Sequence, residues 1–130
     1  MPTVDEMLAQ ARETLDRVGP EEAAQAMQRD AVLVDIRSDE QRARDGHVPG
    51  AVRVARNVME WRCDPTGDHR DPQVSDPSRP LILFCDEGYA SSLAAAILQD
   101  LGHPQATDLD GGFQAWRAAG LPVVSADGGG

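Results

Sequence analysis

Lysine is absent from this chain, and all 12 of its basic residues are arginine, set against 22 acids for a net charge of -10. A surface of that sign repels phosphate backbones and anionic lipid, which sets aside nucleic acid and membrane as partners. Long apolar runs are also missing, and no charged-then-apolar leader opens the sequence, so neither a spanning helix nor a secretory signal is expected. Cysteine is scarce, with only Cys63 and Cys85. Two thiols in a chain of this kind suit a reducing compartment, and the expectation is a soluble, cytoplasmic protein. Two cysteines and three scattered histidines do not have the spacing of metal ligands, so no metal or other cofactor is expected. No internal repeat is found.

What is present suits one domain, since 130 residues can bury a core without staples. Thr3 with Glu6 three residues on forms a capping box, and Val4, Met7, Leu8, Ala11 and Leu15 follow at helical spacing, which predicts a helix over 4–16. Gly19 and Pro20 stop that pattern. Pro20-Glu21-Glu22 then has the form of a first helical turn, with a second short helix running to about Gln28. Short β-rich apolar runs at 31–36, 51–55 and 79–85 read as buried strands, and 106–110 as a further short one. A connection at 63–80 holds Pro65, Gly67, Pro72 and Pro77 and is expected to be the most mobile interior segment. Helices are expected from Ala90 to Leu101, closed by Gly102, and over the stretch ending at Gly120. The alternation of strand and helix argues an α/β sheet covered by helices on both faces. The tail 125–130 has nothing to bury and is expected to be disordered.

Cys85 stands where an apolar strand gives way to an alanine-rich helix. In open parallel sheets such junctions aim backbone N–H groups at whatever occupies the loop, so a sulfur anion there would be cradled by them. Gly88 supplies the positive φ that a tight cradle needs. The residues by themselves leave two readings open, a nucleophile or a small buried hydrophobe at a strand end.

Three stretches in order resemble the rhodanese family of sulfurtransferases. The first is "LVDIRSDEQRARDGHVPGAVRV" (33–54), with Asp35, Arg37, Glu40 and the Gly46-His47-Val48-Pro49-Gly50-Ala51 turn. The second is the loop from Cys85 to Ala90 followed by Ser91, similar to that family's "CxxGxx" catalytic loop. The third is "LDGGFQAWRAAGLPV" (109–123), with paired glycines and Trp116. The resemblance implies a central five-stranded parallel sheet flanked by helices on both faces. It divides the chain into a helical extension (1–16), a rhodanese-like domain (17–124) and the tail (125–130).

It also implies roles. Cys85 would take the outer sulfur of a donor, carry it as a persulfide and pass it to a thiol or cyanide, with a small molecule or a protein as donor. The amides of Asp86, Glu87, Gly88, Tyr89, Ala90 and Ser91 would hold the bound sulfur. Asp35, Arg37 and Glu40 read as a charge network tying strand to helix, because a planar guanidinium fork suits that pairing. His47 reads as a cap on loop carbonyls rather than a proton carrier. Phe113 and Trp116 share one helix face and read as core.

The loop departs from the family in having no basic residue. Ala90 stands at its last position, where a base is common, and Asp86 and Glu87 follow the cysteine. A helix N-terminus favours a nearby anion by about 0.3–1 kcal/mol, and a carboxylate about 6 Å away opposes it by about 1 kcal/mol. The two nearly cancel. A dianionic donor such as thiosulfate is therefore expected to be poor, and persulfides or protein donors better. Arg56 and Arg62, in the segment after the strand that ends near Ala55, are candidates for supplying the missing charge. Cys63 reads either as a resolving thiol or as an incidental loop residue. Two rival functions remain. One is a non-catalytic sulfur-carrier, sensing or docking module. The other is a cysteine phosphatase or arsenate reductase, which the sixth position after the cysteine opposes: it is Ser91, where a phosphoryl transition state calls for arginine.

Overall fold

The computed structural model describes residues 1–126. Four parallel strands form the sheet in the order β2-β1-β3-β4, with β1 at Val32–Asp35, β2 at Val52–Arg53, β3 at Leu81–Phe84 and β4 at Thr107–Asp108. The helices are α1 (Val4–Arg12), α2 (Pro20–Met27), α3 (Asp39–Asp45), α4 (Met59–Cys63), α5 (Ala90–Asp100) and α6 (Gly112–Ala118), and a 3-10 turn at Arg56–Val58 precedes α4.

The two central strands are buried on both faces, which is why they read as unbroken apolar runs rather than alternating ones. Their period of two still sorts the side chains. Val32, Val34, Ile36, Leu81, Leu83 and Cys85 enter one core cluster with Met59, Cys63, Ala94 and Leu98. Leu33, Ile82 and Phe84 enter the other with Ala23, Phe113 and Trp116. Helices therefore cover both faces, as expected. Each fully buried leucine or phenylalanine here contributes roughly 1.5–3 kcal/mol.

A fifth strand does not form among the described residues. Its place beside β4 is held by a single parallel bridge between Val18 and Leu109, in which the Val18 N–H donates to the Asp108 carbonyl at 3.2 Å and the Asp110 N–H to the Val18 carbonyl at 2.8 Å. Pro20 starts α2 two residues later, leaving no length for more ladder. For the same reason α1 ends at Arg12 rather than at 16: the chain must turn to bring Arg17 and Val18 to the sheet edge, and the Thr14 hydroxyl bonds back to the Ala11 carbonyl at 3.2 Å as it does so. The capping box of Thr3 and Glu6 is present.

The connection between α4 and β3 is pinned rather than loose. Val74 is fully buried in it, and Asp64, Asp71 and Asp76 each bond forward to a nearby backbone N–H at 2.9–3.0 Å, the side-chain turns that such residues favour. At the other end of the domain Val124 pairs in antiparallel fashion with His47, and most of the tail beyond it, 127–130, lies outside the described residues.

Candidate functional site

Cys85 follows β3 directly and sits at the carboxyl edge of the sheet, with 9% of its surface exposed. The loop from 85 to 90 wraps its sulfur. The Gly88 N–H lies 3.2 Å and the Ser91 N–H 3.3 Å from Sγ, and Ser91 Oγ is 3.4 Å away. The N–H groups of Glu87, Tyr89 and Ala90 find no protein acceptor among the described residues. The carbonyls of the loop, in contrast, are drawn outward. Those of Cys85 and Asp86 accept from the Phe113 and Gln114 N–H groups of α6 at 2.9 and 3.0 Å. Turning carbonyls out and amides in makes the loop an anion cradle.

Glycine is required where this loop meets α6. Gly88 has φ +90°, and Gly111 and Gly112 of the paired glycines have φ +81° and +61°. A β-carbon on Gly112 would stand 2.7 Å from the carbonyl oxygens of both Cys85 and Asp86.

The sulfur opens on a cavity of about 300 Å³ lined by Ile36, Arg37, Gln41, Arg56, Cys85, Asp86, Glu87, Tyr89 and Ala90. Arg37 is buried. It grips the Asp35 carboxylate through Nε and Nη2 at 3.0 and 2.8 Å, donates to the Gly46 carbonyl at 2.8 Å and lies 3.9 Å from the centre of the Phe113 ring, while Nη1 stays without a partner. The third member of this network is Arg42, whose Nε meets Asp35 at 3.1 Å. Glu40, the member expected from sequence, is exposed on α3.

Arg56 reaches the cavity and is tied to Glu60 at 3.0 Å, one helical turn on. Arg62 does not reach it, and donates instead to the His69 carbonyl at 3.0 Å. Asp86 is half-buried. Gln114 donates to it at 2.9 Å and Arg44 stands 3.6 Å off, so its charge is partly answered, whereas Glu87 is exposed. His47 acts through its backbone, pairing with Val124. Trp116 is core and donates from Nε1 to the Pro122 carbonyl at 2.9 Å. Cys63 is no loop thiol: it closes α4, is fully buried, and burial first, then Asp71 and Glu60, push its thiol up to about 12.

A polar network behind the loop has no counterpart in the sequence reading. Asp108, at the end of β4 and fully buried, accepts from the hydroxyls of Ser91 and Ser92 at 2.7 and 2.8 Å and from Arg17 Nε at 2.9 Å. Arg12 and Arg17 both donate to the Gly88 carbonyl, at 2.8 and 2.9 Å. A lone aspartate in a two-residue strand and two arginines near the N-terminus carry no local signal of this meeting.

The family model for the Rhodanese-like domain matches residues 19–119. The chain belongs to the rhodanese-like family. It is 34% identical to the thiosulfate sulfurtransferase GlpE of Ectopseudomonas mendocina over 86% of this chain and 93% of that one, and 33% identical to the protein of that name from Pseudomonas savastanoi pv. phaseolicola over 78% and 87%. At that kinship this rhodanese-like chain is a rhodanese-type sulfurtransferase. Among solved structures it superposes on RPA3614 of Rhodopseudomonas palustris, a protein of unknown function described as a possible tyrosine phosphatase, with TM-score 0.87 and 30% identity over 95% and 96% of the two chains. A thiosulfate sulfurtransferase from Pseudomonas aeruginosa shares the fold, with TM-score 0.70 and 24% identity, across 88% of this chain and 20% of that one. Among the described residues no helix is long and apolar enough to cross a membrane.

Proposed function

We propose that this chain moves a sulfane sulfur through a persulfide on Cys85. The Cys85 thiolate attacks the outer sulfur of a donor, forming one S–S bond as the donor's own bond to that sulfur breaks and its remainder leaves with the electron pair. A thiolate or cyanide then takes the outer sulfur, giving a persulfide or thiocyanate and returning Cys85 as thiolate. No net redox change occurs. The observation that carries this reading is the sulfur of Cys85 held at 3.2–3.3 Å from two backbone N–H groups and open to a cavity, with further unpartnered N–H groups around it.

The donor is a persulfide or a protein-borne sulfur in preference to thiosulfate. Arg37 and Arg56 face the cavity, but each is already paired with a carboxylate, and Glu87 adds an unanswered negative charge at the rim. A dianion gains little there. Both thiols are free, which suits a reducing compartment such as the cytoplasm. Phosphatase chemistry is disfavoured because Ser91 stands where the loop would need a closing arginine, and a pure docking module has no use for a cradled nucleophile.

Mass analysis of the intact protein after incubation with thiosulfate, mercaptopyruvate or a low-molecular-weight persulfide tests the proposal. Wild type should gain one sulfur and Cys85→Ser none. A wild-type protein that never gains sulfur from any of the three would overturn it, and turnover of an aryl phosphate that depends on Cys85 would favour the phosphatase reading instead.

A further inference from the structure

The Cys85 loop contains no base, yet two arginines serve it from outside. Both precede the stretch that matches the family model, which begins at residue 19. Arg12 is the last residue of α1, which packs along α5, and Arg17 lies in the turn that leads to Val18. Their guanidinium groups converge on one acceptor, the Gly88 carbonyl, at 2.8 and 2.9 Å. Arg12 Nε also donates to Ser92 Oγ at 3.0 Å, and Arg17 Nε to Asp108 at 2.9 Å. Gly88 and Tyr89 share a trans peptide, so fixing this carbonyl toward the arginines points the Tyr89 N–H the opposite way. Tyr89 lines the cavity and its N–H has no protein acceptor among the described residues.

Charge points in the same direction. Behind the loop Arg17 pairs with buried Asp108 at 2.9 Å and, at 3.2 Å, with Asp110, which is two-thirds exposed, while Arg12 has no ion-pair partner among the described residues and donates to Ser92 Oγ and the Gly88 carbonyl. The Arg12 guanidinium, unpaired with any carboxylate, therefore stands beside the cradle, 2.8 Å from the Gly88 carbonyl. Burial works against the Arg17 charge, but its bond and attraction to Asp108 outweigh this and raise its pKa, with Asp110 and a Cys85 anion adding to the rise.

We propose that Arg12 and Arg17 are positioning residues for the Cys85 loop: they hold the Gly88–Tyr89 peptide with its N–H turned toward a sulfur on Cys85 and supply from behind the positive charge the loop lacks. The persulfide half of this role rests on the sulfur-carriage reading above, whereas the effect on the free thiolate does not.

The test therefore uses two readouts on the full chain. The first is the pH dependence of Cys85 alkylation by iodoacetamide, which needs no donor. The second is steady-state sulfur transfer with the best donor found. Arg12→Met keeps an unbranched apolar side chain and removes the charged guanidinium, whose carbon lies 5.8 Å from the centre of the Tyr89 ring. Arg12→Lys restores charge with one point of attachment, and Arg17→Lys avoids stranding buried Asp108 without a cation. Arg12→Met should move the alkylation midpoint upward by about half to one unit and slow the reaction at neutral pH about three- to tenfold, with Arg12→Lys recovering most of that loss. Arg17→Lys should lower kcat with KM unchanged, because a single ammonium cannot span Asp108 and Gly88 together. Unchanged midpoints and unchanged kcat in folded Arg12→Met and Arg17→Lys would overturn the proposal. The Arg12 pair decides it even where Arg17→Lys fails to fold. A shifted midpoint in a protein that never loads sulfur leaves the positioning role standing and removes the persulfide reading; normal loading with no shift does the reverse.

Discussion

The backbone nitrogen of Gly111 packs against Gly88 so closely that a β-carbon at residue 88 would stand 2.7 Å from it. This contact joins the loop after β3 to the start of α6 and requires glycine at 88, while a β-carbon on Gly111 would stand 2.5 Å from Ala115 Cβ one turn into α6. Gly88→Ala meets both a steric limit and a φ of +90°. It should cost about 1–3 kcal/mol in stability and remove most sulfur loading at Cys85, read by denaturant unfolding and by intact mass. Retained loading at wild-type stability would show that the cradle tolerates a different path.

Asp108 is the buried carboxylate on which Ser91, Ser92 and Arg17 converge. Asp108→Asn keeps the shape but leaves Arg17 without its buried counter-charge, and should destabilise the fold by about 3–5 kcal/mol. Ser91→Ala should cost far less, since Asp108 keeps two partners and the Ser91 N–H still reaches Sγ. Paired denaturation curves for the two variants check the ranking.

Charge around the cavity should appear in KM for thiosulfate. Glu87→Gln removes the repulsion of one rim carboxylate, about 1 kcal/mol, so KM should fall up to about fivefold and the gain should shrink with added salt. Arg56→Ala should raise KM. Arg62→Ala should leave it unchanged, because Arg62 turns to the His69 carbonyl and not to the cavity. A rise in KM for Arg62→Ala equal to that for Arg56→Ala would mean that overall charge, not the cavity lining, governs the donor.

Cys63 separates structure from chemistry. Its folded pKa, about 12, lies above the ordinary 9.0, so the unfolded chain releases this proton first as pH rises. Its contribution to stability is thus complete below about pH 9 and is lost from there upward, at no more than about 1.4 kcal/mol per pH unit. Cys63→Val should flatten that alkaline slope. At pH 8 a native sample treated with iodoacetamide should carry one label, on Cys85, which peptide mapping can locate. Labelling of Cys63 at a comparable rate would revive it as a resolving thiol.

Much of the fold and of the site is legible in local residue patterns. Apolar runs at 31–36 and 79–85 were enough for the central strands, because strands buried on both faces need no alternation to be recognised. Cys85 and Gly88 are legible as a strand-to-helix junction with a positive-φ position, and three ordered stretches, the last with its paired glycines, point to the family. Local patterning also placed α5 and the capping box on α1, since those depend on residues three and four apart.

The rest depends on contacts between residues far apart in the chain. The edge strands shrank to two residues each, and the fifth to one bridge at Val18, because edge pairing depends on how the chain arrives rather than on its composition. Glu40 yielded its expected place beside Asp35 to Arg42, and Arg62 turned from the cavity while Arg56 reached it, choices of helix face and rotamer that spacing alone leaves open. Above all, Arg12 and Arg17 stand more than seventy residues from Gly88 in the chain and 2.8–2.9 Å from it in the fold. No window of sequence contains that meeting; only the packing of α1 on α5 and of Val18 on the sheet edge brings it about.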